Sequence, residues 1–429
     1  MIQGIEYLNL SICGLFILFY AYQLGYIGVR FVKRMPVRTA QKMHKYAVLI
    51  AARNESRVIG ELLESLRSQN YPKELLDIFV IADNCTDKTA KVAEEYGAVV
   101  FERKNLKKIG KGYALNYAFQ KIKNLCGLDF YDGYMVFDAD NVLDENYVKE
   151  INSVFDAGYR VVTSYRNSKN FGYNWISAGY ALWFLRESKY LNGARMLCNT
   201  SCAISGTGFL VSSEIIKKDN GWKYSLLTED IEFSIDKVIN KEVIGYCEKA
   251  VLYDEQPISF RVSWDQRMRW TKGFYQVMGK YGKRLFRGFW LDKGFQCYDM
   301  FATIAPATLL TFSVLLVNFS AMSYGLLFSF DSIVIAALLQ ILSSGFCAYA
   351  SLFFIGLITI ITEWGQIHCC TYKKILYLFT FPIFMFTYVP IAIVAIFKRV
   401  YWVPIPHTFV GRTTDIRKLE LNETSSSGR

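Results

Sequence analysis

The chain has 429 residues, is 52% hydrophobic and 16% aromatic, and carries a formal net charge of +11. The length allows roughly one to three domains, and the apolar share is high for a soluble enzyme. A basic balance usually points to nucleic acid, but the placement of this charge argues against such a partner. Arg30, Lys33, Arg34, Arg38, Lys42 and Lys45 crowd residues 30–45 with no acid among them, and residues 261–287 hold a second basic stretch with Asp265 as its one acid. These two stretches carry more than the whole net charge, and both flank apolar runs. Juxtamembrane Lys and Arg mark the cytoplasmic side of a bilayer. The expectation is a multi-pass plasma-membrane protein with its N-terminus outside and everything after Arg30 cytoplasmic.

In chain order, residues 8–29 carry no charge and are long enough for a bilayer core about 30 Å thick, which needs about 20 helical residues. The run is too long for a signal peptide and lacks a basic leader and a small-residue cleavage site, so residues 1–32 read as a transmembrane anchor. From Tyr46 to about Tyr253 strand and helix patterns alternate. YAVLIAA (46–52) is a continuous apolar run, as expected of a strand covered on both faces. Residues 56–69 place Val58, Leu62, Leu63 and Leu66 at helical spacing before Pro72. DIFVIAD (77–83) predicts a second strand, residues 86–96 a short helix, AVVFE (98–102) a third strand, residues 111–123 a helix, and GYMVFDAD (133–140) a fourth strand ending in acids. This alternation predicts an α/β domain over 46–255 with a mostly parallel sheet, and ligands in such sheets sit where strands end.

Residues 256–296 are basic and aromatic, as suits helices lying at a membrane interface. Residues 297–397 are apolar, with Asp299 and Asp331 as the only charges from Cys297 to Ile361. This region predicts three or four membrane helices, with Gly325, Asp331 and Ser343-Ser344-Gly345 as candidate breaks. A cytoplasmic tail, favoured by Lys398 and Arg399, needs an even number of spans after the α/β domain, hence four. The polar tail, 398–429, reads as partly disordered. The ten cysteines show no zinc spacing and read as reduced thiols.

Four sites carry chemistry. Asp83, opening Asp83-Asn84-Cys85-Thr86-Asp87, follows a strand, where a carboxylate can accept hydrogen bonds from a base or ribose; the same residues suit a turn and helix cap. Asp138-Ala139-Asp140 ends a strand, where oxygen ligands can face Mg2+ or Mn2+ and a diphosphate; a solvated strand end is the plainer alternative. Thr228-Glu229-Asp230 opens a helix, where an acid can take a proton from an attacking hydroxyl or simply complement the helix dipole. Gln266-Arg267-Met268-Arg269-Trp270 can bind phosphate through Arg269 and stack a ring on Trp270, or serve as the polar face of an interfacial helix.

Taken together and in this order, the four sites resemble the D, DxD, TED and QxxRW signature of membrane-integrated family-two glycosyltransferases, which include cellulose, chitin, hyaluronan and poly-N-acetylglucosamine synthases. The resemblance covers roughly residues 46–290. It implies a GT-A fold, a UDP-sugar donor (UDP-GlcNAc or UDP-glucose), Mg2+ or Mn2+, and an inverting transfer to a growing β-linked polysaccharide exported through the protein's own membrane helices. Carried over motif by motif, it implies that Ala52, Asn54, Glu55, Asp83, Lys111, Asp138, Gln266, Arg269 and Trp270 bind the nucleotide. Asp140 would ligate the metal, and Asp230, with Glu229 beside it, would be the general base. Gly206, Thr207 and Gly208, with Trp270, would meet the acceptor. Trp402, in the tail, is a further candidate near the site. The sequence departs from the family at Asn84, where a second acid is common, which leaves the first carboxylate in place. A transferase acting on a membrane lipid such as diacylglycerol is the alternative within the same chemistry. A transporter or receptor with a degenerate nucleotide domain would require broken acids, and every candidate carboxylate is present.

Overall fold

The computed structural model of the chain describes residues 2–405, 407–409, 411 and 413–416; the polar tail expectation for residues 417–429 lies outside them. Eight strands form one mixed sheet: β1 (Tyr46–Ala52), β2 (Leu76–Asp83), β3 (Val99–Arg103), β4 (Gly133–Asp138), β5 (Val142–Leu143), β6 (Val161–Ser168), β7 (Phe209–Ser212) and β8 (Ile244–Asp254), in the order β3-β2-β1-β4-β7-β6-β8-β5. The continuous apolar runs become the central strands. Every residue of β1 except Ala51 is fully covered, because helices pack on both faces. Leu62, Leu63 and Leu66 supply the buried stripe of the helix Ile59–Arg67, as their spacing predicts.

The expected parallel character holds for β1, β2, β3 and β4, and β6 pairs parallel with β8. It fails at β7, which runs antiparallel to β4 and β6, and at β5, antiparallel to β8. The reason is the route of the chain. It reaches β7 from the loop at residues 205–208, beside the carboxyl ends of β4 and β6, so β7 must run away from that edge. The register also aligns the edge: Ala51 pairs with Asp138 and Ala52 with Ala82. The ends of β1, β2 and β4 therefore form one ledge, with Asp83 and Asp138 on either side of the end of β1.

Among the described residues four helices are long and apolar enough to cross a membrane: Ile2–Val32, Ala307–Leu327, Asp331–Thr362 and Thr371–Phe397. Three of them follow the α/β domain. The chain turns between the second and third at Phe328–Phe330, with Asp331 opening the next helix. Ser343-Ser344-Gly345 does not break its helix, since a bilayer drives the backbone to keep its internal hydrogen bonds. Leu316, Leu327, Phe346 and Phe354 are exposed on these helices, the surface lipid would cover. Asn9 and Asn318 exchange side-chain hydrogen bonds of 3.1 and 2.7 Å between the first and second of these helices.

The apolar region is tied to the α/β domain by buried charge. Arg195 donates twice to Asp299, at 2.8 and 2.7 Å, and Tyr22 and Tyr26 each donate to the same carboxylate at 2.8 Å. Glu363 pairs with Lys189 at 3.0 Å and accepts from Tyr165. A 29-residue helix, Phe260–Gly288, runs between the two parts. None of the ten cysteines forms a disulfide.

Candidate active site

The ledge formed by β1, β2 and β4 gathers the first group of expected residues. Asn54 and Asn84 both adopt left-handed backbone (φ 59° and 55°), a conformation asparagine tolerates better than most residues. The two turns interlock: Asn54 Oδ1 accepts from Thr86 N at 2.8 Å, the Cys85 thiol donates to the Ala52 carbonyl at 3.5 Å, and Glu55 N donates to Thr89 Oγ1 at 2.9 Å. Asp83 is buried, held by Arg103 and by Asn84 at 2.9 Å. Burial pushes its carboxyl up while Arg103 pulls against it. The missing second acid is thus replaced by an asparagine that holds the first.

Next to the ledge, Lys111 opens the helix Lys111–Leu125 and bridges two motifs. Its Nζ donates to Asp138 Oδ1 at 2.5 Å and to the Gly206 carbonyl at 2.9 Å. Thr207 Oγ1 accepts from Asp138 N at 2.9 Å. The acceptor-loop candidates Gly206, Thr207 and Gly208 are therefore pinned to the end of β4. Gly208 has φ +65°, and a Cβ there would lie 1.9 Å from Leu252 Cδ2; only glycine lets the loop settle this deeply.

Glu229 and Asp230 start the helix Glu229–Ile239. A Cβ on Gly206 would stand 3.8 Å from Asp230 Oδ2 and 4.0 Å from Arg166 Nη1, so Asp230 lies over the glycine loop. Burial pushes Glu229 up to about 7, the neighbouring Asp230 adding to the shift, and Lys111 and Arg269 opposing it. Burial also raises Asp230, against hydrogen bonds from its own helix start and the charges of Lys111 and Arg166.

The helix Phe260–Gly288 carries the fourth motif. Arg269 faces Glu229, Asp138 and Asp230 electrostatically, and its buried Nε, like the Oε1 of Gln266, has no hydrogen-bond partner among the described residues. Trp270 packs edge-on against Tyr180 (centroids 5.6 Å apart) and Phe184 (6.1 Å). Arg267 turns the other way and is fully buried, donating to Thr387 Oγ1 at 2.6 Å and to the Phe384 carbonyl at 3.2 Å. One motif thus serves several neighbours: Arg267 fastens the apolar helix, Trp270 joins the aromatic cluster of Tyr180 and Phe184, and Arg269 acts on the acids.

Asp140 lies 4% exposed. Its Oδ2 accepts from Glu255 N at 2.9 Å and its Oδ1 from Asn141 Nδ2 at 3.4 Å. Burial would raise its carboxyl, but His407, Lys169 and Arg166 together hold it below the usual range. Lys169 Nζ is buried with no hydrogen-bond partner among the described residues. His407 lies 3.1 Å from Glu55. Burial would lower it, yet the charges of Asp140, Glu55 and Glu255 raise it to about 10. Among the described residues no three His, Cys, Asp or Glu side chains converge to hold a metal by themselves. The donor set nevertheless fits a hard divalent cation: an ionised buried carboxylate already draws cationic groups to itself, and a diphosphate would supply further oxygens.

The structure therefore places the expected polar residues of the sheet edge in three adjoining groups. Ala52, Asn54, Glu55 and Asp83 form one, Asp140 another, and Lys111, Asp138, Gly206–Gly208, Glu229, Asp230 and Arg269 the third, while Gln266 and Trp270 stand on the helix that carries Arg269. Trp402 also reaches this edge, with the Arg53 guanidinium 5.1 Å from its ring centroid. Sequence reasoning passed over Arg166, Lys169, Glu187, Asp254, Glu255 and His407. Asp254-Glu255 carried the same signal as Asp138, acids closing an apolar strand; the others carried none, since their roles depend on which strand end they meet.

The comparisons with known proteins agree with this geometry. The family described as "Glycosyltransferase like family 2" matches residues 44–273. Over 245 residues the chain is 26% identical to a beta-monoglucosyldiacylglycerol synthase from Nostoc sp., covering 54% of this chain and 49% of that one. Over 297 residues it is 24% identical to a poly-beta-1,6-N-acetyl-D-glucosamine synthase from Staphylococcus epidermidis, covering 62% and 63%. The chain spans between about half and two thirds of the length of the curated relatives it matches. Among solved structures, a mannosyltransferase from Pyrobaculum calidifontis in complex with GDP-Man and Mn2+ superposes with a TM-score of 0.54 at 15% identity, over 78% of this chain and 98% of that one, a likeness of fold. With more than half of its length matched and its acids gathered at the end of a mixed sheet, the chain belongs to glycosyltransferase family 2 and is a glycosyltransferase of GT-A fold.

Proposed function

We propose that the chain is a membrane-bound inverting glycosyltransferase that moves a hexose from a UDP-sugar, UDP-GlcNAc or UDP-glucose, to the end of a β-linked polysaccharide. The observation that carries this reading is the position of Asp230 over the Gly206 loop, which Lys111 ties to Asp138 at the nucleotide ledge. Asp83, Asn54 and Glu55 would frame the nucleoside. Lys111 and Arg269 would take the charge of the diphosphate, and the unpartnered Nε of Arg269 and Oε1 of Gln266 would find their bonds there. Asp230 would accept the proton of the attacking hydroxyl, whose oxygen would displace UDP from the opposite face of the sugar. A divalent cation held by Asp140 and the diphosphate would stabilise the departing charge.

Contacts support one reading of the membrane arrangement. Along the helix Thr371–Phe397, Phe384 packs within 5.0 Å of Tyr180, and Tyr275 donates to Ala392 and Lys272 to Ala395. Beyond its end, Trp402 and His407 reach the sheet edge. A helix touching the catalytic side along its length does not cross a core about 30 Å thick. In this reading it lies in the membrane face, and two crossings follow the catalytic domain, Ala307–Leu327 and Asp331–Thr362. Both catalytic domain and tail are then cytoplasmic at the plasma membrane, as the basic flanks require.

A lipid acceptor such as diacylglycerol is the second reading. It is favoured by the aromatic cluster of Trp270, Tyr180 and Phe184 continuing into Phe384 and Tyr388 of the apolar helix, which joins the catalytic side to the apolar region. Purified protein in lipid nanodiscs, offered a panel of UDP-sugars, tests both. UDP release from UDP-GlcNAc or UDP-glucose with a polymeric product supports the first reading, and a single-sugar lipid product the second. UDP release from no donor refutes both. Export through the membrane helices requires that product made by sealed vesicles be protected from added glycosidase.

A further inference from the structure

The straight helix Trp175–Arg186 passes at Glu187 into a π-helical turn, Glu187–Asn192. Such turns are uncommon and recur at functional sites. Here the extra residue in the turn brings Glu187 to the glycine loop: its Oε2 accepts from Ser205 Oγ at 3.1 Å, directly before Gly206. Its other oxygen is not among the buried atoms left without a partner, so it is open to solvent or to a ligand.

The two guanidiniums that would ordinarily neutralise Glu187 are engaged elsewhere. Arg195 is spent on Asp299. Arg166 forms an ion pair with Asp254, donates to the Ser205 carbonyl at 2.8 Å, and lies 3.6 Å from the ring centroid of Phe184. Glu187 and Asp230 act on each other's charge. A half-buried carboxylate with one oxygen open to the site can accept a hydrogen bond from a ligand hydroxyl, and a bond to a charged acceptor is among the stronger ones. Beside it the aromatic cluster of Phe184, Tyr180 and Trp270 fixes the position of the turn, with the Arg166 guanidinium over the Phe184 ring.

Resting on the glycosyltransferase reading above, we propose that Glu187 is an acceptor-positioning residue whose free oxygen binds a second hydroxyl, neighbouring the one that Asp230 deprotonates. The acceptor chemistry this pair reads is a terminal sugar with adjacent hydroxyls. A polymer end and a glycolipid headgroup both present it, whereas a diacylglycerol offers one free hydroxyl and leaves Glu187 unsatisfied.

The test uses the full chain in nanodiscs with whichever of UDP-GlcNAc and UDP-glucose the wild type turns over. Acceptor probes are octyl β-glucoside, a β-linked tetrasaccharide of the donor's sugar, and dioctanoylglycerol. Glu187→Gln should raise the KM for the two sugar acceptors roughly tenfold or more, the scale of a lost hydrogen bond to a charged group. The donor KM should move less than twofold, and Glu187→Asp should recover part of the loss. The ratio of the two sugar probes tells a glycolipid from a polymer end. An acceptor KM in Glu187→Gln equal to that of the wild type overturns the proposal, as does wild-type transfer to dioctanoylglycerol and to neither sugar. No UDP release by the wild type from either donor would instead sink the parent reading, and this one with it.

Discussion

Two acidic sites at the sheet edge, Asp140 at a strand end and Glu229 with Asp230 at a helix start, have opposite surroundings. Asp140, of the strand-end pair Asp138 and Asp140, is held below the usual carboxylate range by His407, Lys169 and Arg166, despite its burial. At the helix-start pair, Glu229 and Asp230, burial wins and both are pushed up. An acid kept ionised suits holding a cation, and an acid with raised affinity for a proton suits accepting one. Environments that push carboxylates apart divide the labour between them.

The largest expected effect comes from breaking the helix-start pair. Asp230→Asn should lower kcat by about 10²–10⁴-fold, the usual cost of losing a general base, measured as UDP release with acceptor present. A control acid sharpens the contrast. Asp299 is fully buried outside the mouth and paired with Arg195, so Asp299→Leu should cost stability, roughly 3–5 kcal/mol, seen as a lowered melting temperature in detergent. Asp140→Asn should weaken Mn2+-dependent UDP binding by at least roughly tenfold, with little change in a metal-free titration. The smallest effect is a shift of pH profile. Since Glu229 and Asp230 are raised, kcat/KM should fall with decreasing pH through a limb above the ordinary carboxylate range. The pair titrates as a unit, so Glu229→Gln removes a like charge and should move that limb to lower pH. The stability sign is the reverse of the usual acid: with Glu229 raised from 4.5 to about 7, the folded chain binds more protons between those values, and its contribution is lost as pH rises through them.

Much of this was legible in the sequence because strand ends announce themselves. YAVLIAA and DIFVIAD closed where their apolar runs stopped, and the acids that follow them mark the mouth. Glu229 and Asp230 were legible as a helix start. What the sequence could not give was the neighbour of each residue. β7 reverses the sheet because of where the loop at 205–208 enters, a tertiary fact. Arg166 and Glu187 matter because that loop passes between them, and His407 because the tail folds back over 352 residues of sequence separation to reach Glu55. The apolar run 371–397 satisfies every compositional rule for a span, and only its contacts with Tyr180 and the helix Phe260–Gly288 argue that it lies in the membrane face.

The separation of tasks between the two sites is tested most directly by titrating UDP, with Mn2+ present, into the wild type, Asp230→Asn and Asp140→Asn side by side. The account predicts that Asp230→Asn binds UDP as the wild type does while Asp140→Asn does not. Loss of UDP binding in Asp230→Asn together with full binding in Asp140→Asn would contradict it.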